Sequence, residues 1–270
     1  MPTSQTLSTE RTRDAVSVTV AGGSITSQIA EGVGTIEFFH PKSNSLPGEL
    51  LNELAATVAR LGADDAARVI VLRSGGTGPF CAGASFDRLI TLSNVSEGEE
   101  FFSGFARVIL AMIRAPKFVL ARVHGRAAGG AVGLIAASDL SFAVRTASAK
   151  LSELAIGIGP FVVGPVIEKK VGLAAFSALA VNADWHDAAW GERHGLYSYL
   201  YDDVTALDAA IAQQARTLAT SNPQAMAALK RVFWAGTEQW DALLATRATM
   251  SGTMVLSDFT RNAIASFKSR

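Results

Sequence analysis

Short apolar runs alternate with helical patterns over the first two-thirds of the 270-residue chain, and this alternation constrains the fold most strongly. The clearest runs are 69–73 (VIVLR) and 117–123 (KFVLARV). Continuous apolar runs of this length are typical of strands buried on both faces of a parallel sheet. Apolar residues at helical spacing predict helices over 47–61 and 98–114, the second ended by Pro116. The chain is therefore expected to form an α/β core.

A second set of signals divides the chain into three parts. The strand-like runs 25–30 and 34–39 flank Glu31 and Gly32, which predicts a hairpin. From about Pro165 onward almost every segment has a helical pattern. The predicted parts are a flexible N-terminal extension (1–24), an α/β core (25–200) and a helical C-terminal region (201–270).

The charge balance excludes several classes of partner. Lys plus Arg and Asp plus Glu number 24 each, so no global basic field favours nucleic acid or a membrane surface.

The single cysteine, Cys81, excludes an intramolecular disulfide and a cysteine zinc cluster. His186 and His194 are too far apart in sequence for a metal-binding pair on one helix turn. We expect no metal, no nucleic acid, no membrane contact and a cytoplasmic location.

Three segments stand out together. Each has an ordinary interpretation: a tight turn, a small-residue loop, or a surface glutamate paired with a cation. Their shared order and spacing are harder to explain in that way. The segments are 80–84 (FCAGA), 124–131 (HGRAAGGA) and 151–157 (LSELAIG).

These segments resemble the three motif blocks of the enoyl-CoA hydratase/isomerase (crotonase) superfamily. The resemblance covers roughly residues 25–270, and Asp139 and Phe267 also match the family's pattern. It implies the crotonase (ClpP/crotonase-like) fold, an α/β fold of repeated ββα units with a helical C-terminal region. It further implies that the core carries the CoA site and that residues 201–270 take part in forming a homotrimer or a hexamer.

The resemblance also implies a chemistry. Family members stabilise an enolate of an acyl-CoA thioester by two backbone N–H groups, here those of Ala84 and Gly130. Glu153 is the implied catalytic acid/base, and its apolar neighbours are expected to raise its pKa. No cofactor is implied, because coenzyme A is part of the substrate. The implied substrate- and CoA-binding residues are Ala82, Lys42, Phe86, Phe161 and Phe267.

One departure from the family leaves the reaction open. Hydratases of this family carry a second glutamate three residues after the oxyanion-hole glycine, and here that position is Gly133. A single carboxylate resembles the enoyl-CoA isomerases, which move one proton between two carbons. A one-carboxylate hydratase or dehydratase, a CoA hydrolase, a decarboxylase and a non-catalytic acyl-CoA-binding protein remain alternatives.

A second departure concerns the acyl pocket. Ser85 and Phe86 separate Ala84 from Asp87, where the family usually has its acidic residue earlier. The segment after Asp87 is therefore expected to start differently, and the acyl group to be unusual. Aromatic residues predicted to line a pocket for a bulky or branched acyl chain, unless they are plain core, are Phe86, Phe101, Phe102, Phe105 and Phe161.

Overall fold

The computed structural model describes residues 13–268, with side chains for residues 14–266. The strands, in chain order, are β1 (Arg13–Val20), β2 (Gly23–Ala30), β3 (Val33–Phe39), β4 (Val69–Ser74), β5 (Val119–Val123), β6 (Ala127–Ala128), β7 (Leu140–Val144), β8 (Ser148–Lys150), β9 (His186–Asp187) and β10 (Tyr199–Tyr201). The helices are α1 (Gly48–Ala63), α2 (Phe86–Leu89), α3 (Val95–Arg114), α4 (Gly130–Ala136), α5 (Gly164–Asn182), α6 (Ala188–Arg193), α7 (Val204–Ala219), α8 (Pro223–Phe233), α9 (Trp240–Met254) and α10 (Asp258–Lys268).

The main sheet has seven strands in the order β1-β2-β3-β4-β5-β7-β10. The first three strands are antiparallel, whereas β3, β4, β5, β7 and β10 run parallel. The two apolar runs predicted as buried strands form β4 and β5 at the centre, and every residue of β5 is buried. A smaller sheet has the order β6-β8-β9. The predicted α/β core is confirmed.

The predicted hairpin is also confirmed, as β2 and β3. Glu31 and Gly32 connect them with φ values of 51° and 79°, the left-handed pair that a tight hairpin turn requires. The prediction that residues 1–24 are a flexible extension is wrong for its second half. Residues 13–20 form β1 because Val16, Val18 and Val20 alternate with polar residues and pair with β2 at the sheet edge. Residues 1–12 lie outside the described residues.

The helices α1 and α3 agree with the helices predicted from apolar spacing. Asn94 caps α3 by accepting a hydrogen bond from the Glu97 amide, and the helix ends just before Pro116. Helix α9 packs closely on α3, since a β-carbon on Gly98 would lie 2.6 Å from Cα of Gly252. This contact places the C-terminal region over the part of α3 that borders the candidate site.

The chain after Pro165 is mostly helical, as predicted, but it also contributes two short strands. Tyr199–Tyr201 (β10) pairs with β7 and extends the main sheet, and Tyr199 packs its ring 5.2 Å from that of Phe142. The helical pattern did not reveal this strand because three residues are too few to show alternation. No helix among residues 13–268 is long and apolar enough to cross a bilayer.

A buried ion pair fastens the C-terminal region to the core. Lys230 on α8 donates to Asp139 at 3.0 Å, and both side chains are almost fully buried. Asp139 also accepts from the amide of Val119 and from the indole of Trp234. Lys230 donates further to the carbonyls of Met112 and Lys117. Asp139 therefore has a structural role at the end of α4.

Candidate active site

The first two motif segments lie side by side. The amide of Cys81 donates to the carbonyl of Arg126, and the amide of Ala128 donates to the carbonyl of Cys81. Gly83 follows with a φ of 84°, and a β-carbon on it would lie 2.5 Å from the carbonyl oxygen of Ala128. Only glycine fits a left-handed backbone pressed against another backbone at that distance. The glycine therefore allows the two segments to meet.

The second segment brings its own glycines to this contact. Gly129 has φ 55° and ψ −124°, and its amide donates to the carbonyl of Lys150. Gly130 begins α4, and a β-carbon on it would lie 2.2 Å from Cε1 of Phe105. The ring of Phe105 therefore packs directly on the start of the helix.

Two backbone amides at this junction have no acceptor within residues 13–268. They belong to Ala84, which follows Gly83, and to Gly130 at the first position of α4. Both residues line the same cavity. Unpaired amides at a cavity wall are suited to hold an oxygen that carries negative charge.

Glu153 lies at the edge of the same cavity, just before a short 3₁₀ turn, Leu154–Ile156. Its Oε1 lies 3.1 Å from the position of a β-carbon on Gly129. Its Oε2 is fully buried and has no hydrogen-bond partner in the described part of the chain. Burial raises the pKa of Glu153 to about 7, opposed by the backbone N–H groups of Glu153 and Ser152. A carboxyl with a pKa near neutrality both takes and returns a proton readily.

The cavity between these groups is small and apolar. Its volume is about 80 Å³. Of the residues whose side chains the structure describes, Glu153 is the only one with an ionisable group at this cavity. The lining residues are Ala82, Ala84, Phe86, Leu89, Phe102, Phe105, Gly129, Gly130, Ser152, Glu153, Ile156, Ile158, Gly159, Pro160, Phe161, Val162, Val163 and Ser251.

Gly133 has no free space beside it. A β-carbon on Gly133 would lie 2.6 Å from Cγ1 of Val163 and 3.5 Å from Cδ1 of Ile109. Val163 is 4% exposed and also lines the cavity. The isopropyl group of Val163 thus fills the space that a side chain at position 133 would need.

The other residues predicted for binding differ in whether they line the cavity. Ala82, Phe86 and Phe161 line the cavity. The ammonium of Lys42 forms an exposed ion pair with Asp87, so its predicted contact with CoA phosphates stays a prediction. Residue 267 lies in α10, but its side chain is outside the described residues. The predicted role of Phe267 in binding therefore stays a prediction.

Among the aromatic residues proposed for the acyl pocket, Phe102 and Phe105 also line the cavity, whereas Phe101 does not. Phe101 packs with Leu92 and Val255 in an apolar cluster behind the cavity wall, which also includes the lining residues Leu89, Ile156 and Ile158. The helix α3 turns successive residues to different sides, so neighbouring phenylalanines at 101 and 102 do not share a face.

Several residues at the site were not identified from the sequence, among them Ser251 and Val163. Ser251 reaches the cavity from α9, and Val163 reaches it from the start of α5. Neither belongs to a recognised motif. The small pair Gly98 and Gly252 was the one available signal that α9 packs closely on α3.

Cys81 is not suited to act as a nucleophile. It is fully buried in the core, and burial raises the pKa of its thiol to about 12. The thiol therefore stays protonated at neutral pH, whereas nucleophilic attack requires the thiolate.

Comparison with known proteins decides the family. The model of the enoyl-CoA hydratase/isomerase family matches residues 28–269. The chain belongs to the enoyl-CoA hydratase/isomerase family. The resemblance read from the motif segments is confirmed.

Relatives in this family carry names for different reactions. The chain is 30% identical to rat mitochondrial methylglutaconyl-CoA hydratase over 72% of its own length and 63% of that protein. It thus spans less than two-thirds of the mammalian methylglutaconyl-CoA hydratases that it matches. It is 28% identical to Escherichia coli 1,2-epoxyphenylacetyl-CoA isomerase, with 77% of this chain and 81% of that one aligned. The named relatives thus include both hydratases and an isomerase.

Solved structures confirm the fold. An enoyl-CoA hydratase from Mycobacterium avium is 27% identical, with a TM-score of 0.77 over 88% of this chain and 91% of that one. An enoyl-CoA hydratase from Bacillus halodurans has a TM-score of 0.82 at 18% identity, covering 90% and 99% of the two chains. The expected crotonase fold is present.

Proposed function

We propose that the protein is a single-carboxylate enoyl-CoA isomerase that moves a double bond into conjugation with the thioester. One observation carries the proposal. Glu153 is the only ionisable side chain that the described residues place on the cavity wall, and it lies beside Gly129 at the same wall as two unpaired amides. A base and an oxyanion site at one cavity are what proton abstraction next to a thioester requires.

The proposed reaction uses Glu153 twice. Its carboxylate takes a proton from the α-carbon of a 3-enoyl-CoA, and the C–H electron pair moves into the thioester carbonyl to give a dienolate. The carboxylic acid then returns the proton to the γ-carbon, and the electrons form the double bond between the α- and β-carbons. The proton is conserved, and neither water nor a cofactor is consumed.

The amides of Ala84 and Gly130 are proposed to hold the thioester oxygen. Negative charge develops on that oxygen in the dienolate, and fixed N–H dipoles stabilise it without reorganising. One such donor typically contributes about 3 kcal/mol to the transition state.

The surroundings of Gly133 support isomerisation over hydration. Hydration needs a group that positions and activates water in addition to Glu153. Val163 fills the space next to Gly133, and the rest of the wall, as far as the described residues form it, supplies only the hydroxyls of Ser152 and Ser251. An enzyme that returns the same proton to a different carbon needs no such group.

A one-carboxylate hydratase is the second candidate, because several relatives carry hydratase or dehydratase names. The same cavity would then bind an enoyl-CoA whose conjugated double bond receives water. CoA hydrolysis, decarboxylation and acyl-CoA binding without turnover are the further alternatives.

The deciding experiment follows the absorbance of the conjugated thioester with 3-pentenoyl-CoA and with crotonyl-CoA. We expect the 3-enoyl substrate to gain absorbance with the wild type but not with Glu153→Gln. Glu168→Gln, which removes an exposed carboxylate from α5, is the matched control and should retain activity. Loss of absorbance from crotonyl-CoA would instead establish a hydratase. Release of free thiol or CO₂, or binding without turnover, would contradict both.

A homotrimer or hexamer of this acyl-CoA enzyme is proposed as the working assembly. Large apolar side chains remain exposed on the helices of the C-terminal half. Leu173, Val232 and Phe259 are 63%, 69% and 66% exposed. Such surfaces favour burial against another copy, and sedimentation of the purified protein tests the expected mass.

A further inference from the structure

The residues of the cavity wall indicate which acyl groups the cavity can hold. The proposed reaction does not specify the acyl group. Four phenylalanines contribute to the wall, together with aliphatic side chains from the segment 156–163. Its polar side chains are Glu153, Ser152 and Ser251. No Lys, Arg or His lines it among residues 14–266.

The two hydroxyls do not replace a charged partner. Ser251 is 1% exposed, and its hydroxyl donates to the carbonyl of Arg247 within α9. Ser152 offers one neutral hydroxyl next to Glu153. A buried carboxylate on a substrate needs a cation or several donors, because an unpaired charge in an apolar site is strongly disfavoured. A substrate carboxylate would also meet the like charge of Glu153.

The volume of the cavity restricts length. About 80 Å³ is well below the roughly 300 Å³ at which pockets for drug-sized ligands begin. Phe105 is held against Gly130, and Phe161 folds over Gly159, where a β-carbon would lie 2.4 Å from Cζ of the ring. A long chain would have to displace these rings.

We propose that the cavity selects a short acyl group and rejects acyl groups that carry a carboxylate. This inference rests on the proposed function only in taking the cavity as the acyl site. It separates this chain from relatives named for methylglutaconyl-CoA.

The experiment measures binding of saturated, unreactive CoA thioesters to the wild type by calorimetry. Pentanoyl-CoA and glutaryl-CoA form a matched pair that differs by a terminal carboxylate. We expect glutaryl-CoA to bind about 100-fold more weakly. Decanoyl-CoA should also bind more weakly than pentanoyl-CoA. Equal or tighter binding of glutaryl-CoA, equal or tighter binding of decanoyl-CoA, or equal binding of pentanoyl-CoA and free CoA, would overturn the inference.

A gain-of-binding variant tests the cause. Phe161→Arg places a cation at the cavity and should bring glutaryl-CoA binding to within about tenfold of pentanoyl-CoA. Phe39→Arg is the matched control, because it makes the same change of charge at a half-exposed phenylalanine of β3 outside the cavity. If both variants improve glutaryl-CoA binding equally, the selectivity does not come from the cavity.

Failure of the two proposals can be told apart. Binding of saturated thioesters requires no proton transfer, so acyl selectivity without turnover of 3-pentenoyl-CoA would leave the inference intact and reject the isomerase. Turnover of 3-pentenoyl-CoA with no discrimination between pentanoyl-CoA and glutaryl-CoA would do the opposite.

Discussion

A β-carbon on Gly133 would lie 2.6 Å from Cγ1 and 2.8 Å from Cβ of Val163. Position 133 has no side chain, and the side chain of Val163 occupies the space that one would need. By resemblance to the family's hydratases, position 133 corresponds to the position of their second glutamate. The loss of that glutamate and the filling of its space together favour chemistry that needs one carboxylate.

We predict that Gly133→Glu does not confer hydratase activity. The new side chain would overlap Val163, which overpacks the site at a cost of about 1–3 kcal/mol. Its carboxylate would also be buried without a partner. The measurement is the loss of crotonyl-CoA absorbance, together with a denaturation curve that shows whether the variant folds.

A double variant provides the control for that prediction. Val163→Ala would not suffice, because its retained β-carbon would still lie 2.8 Å from the new one. Gly133→Glu combined with Val163→Gly removes the overlap. We expect water addition from the double variant only, and hydration by folded Gly133→Glu alone would contradict the steric argument.

The pH dependence of isomerisation should report Glu153. Burial raises its pKa to about 7, and the proposed reaction begins with its carboxylate form. The kcat/KM for a 3-enoyl-CoA should therefore rise about tenfold per pH unit below pH 7 and level off above it. A profile that is flat from pH 5.5 to 8.5 would exclude Glu153 as the group that takes the proton.

Glu153 should also lower stability as the pH rises. Its folded-state pKa of about 7 lies above the ordinary value of 4.5. Its contribution to stability is therefore fully present below about pH 4.5 and is lost as the pH rises through 7. The difference corresponds to about 3 kcal/mol. Glu153→Gln should gain about that much relative to the wild type between pH 4.5 and pH 8, measured by denaturant unfolding, and parallel curves for the two proteins would refute the burial effect.

The sequence was sufficient to predict the centre of the fold. The strands β4 and β5 are continuous apolar runs because they are covered on both sides, and such runs are recognisable without tertiary information. Strand β1 was missed because it lies at the sheet edge, where Val16 is 55% exposed and polar residues alternate with valines. Edge strands lack the continuous burial that makes a central strand conspicuous.

For the site, the sequence predicted the motif residues but not the shape of the cavity. Ala84, Gly130 and Glu153 lie at one cavity. Ala84 follows the left-handed Gly83, Gly130 begins α4, and Glu153 precedes a 3₁₀ turn, so the local structure at each position is specified by its own segment. The contact of Val163 with Gly133 joins the start of α5 to α4, and no local pattern encodes the distance between them. Pocket volume and side-chain overlap depend on packing between distant segments.

Gly83→Ala is predicted to damage both stability and activity. The φ of 84° strains any other residue by about 1–3 kcal/mol, and the new β-carbon would lie 2.5 Å from the Ala128 carbonyl oxygen. Pushing the segments apart displaces the Ala84 amide from that of Gly130, which should lower kcat by about 100-fold. Gly78→Ala is the control, because nothing lies within 4 Å of its β-carbon position. Full activity of a folded Gly83→Ala would remove the argument for a shared oxyanion site.

Asp139→Asn is predicted to destabilise the protein strongly without directly altering the cavity. It leaves the buried ammonium of Lys230 without its counter-charge, a change that typically costs about 3–5 kcal/mol. The double variant Asp139→Asn with Lys230→Met also removes the almost fully buried ammonium of Lys230 and should be more stable than Asp139→Asn alone, because that ammonium is no longer left without its counter-charge. Denaturant unfolding of the single and double variants measures the difference. If the double variant is the less stable of the two, the carbonyls of Met112 and Lys117 that Lys230 also binds are the more important anchors of α8.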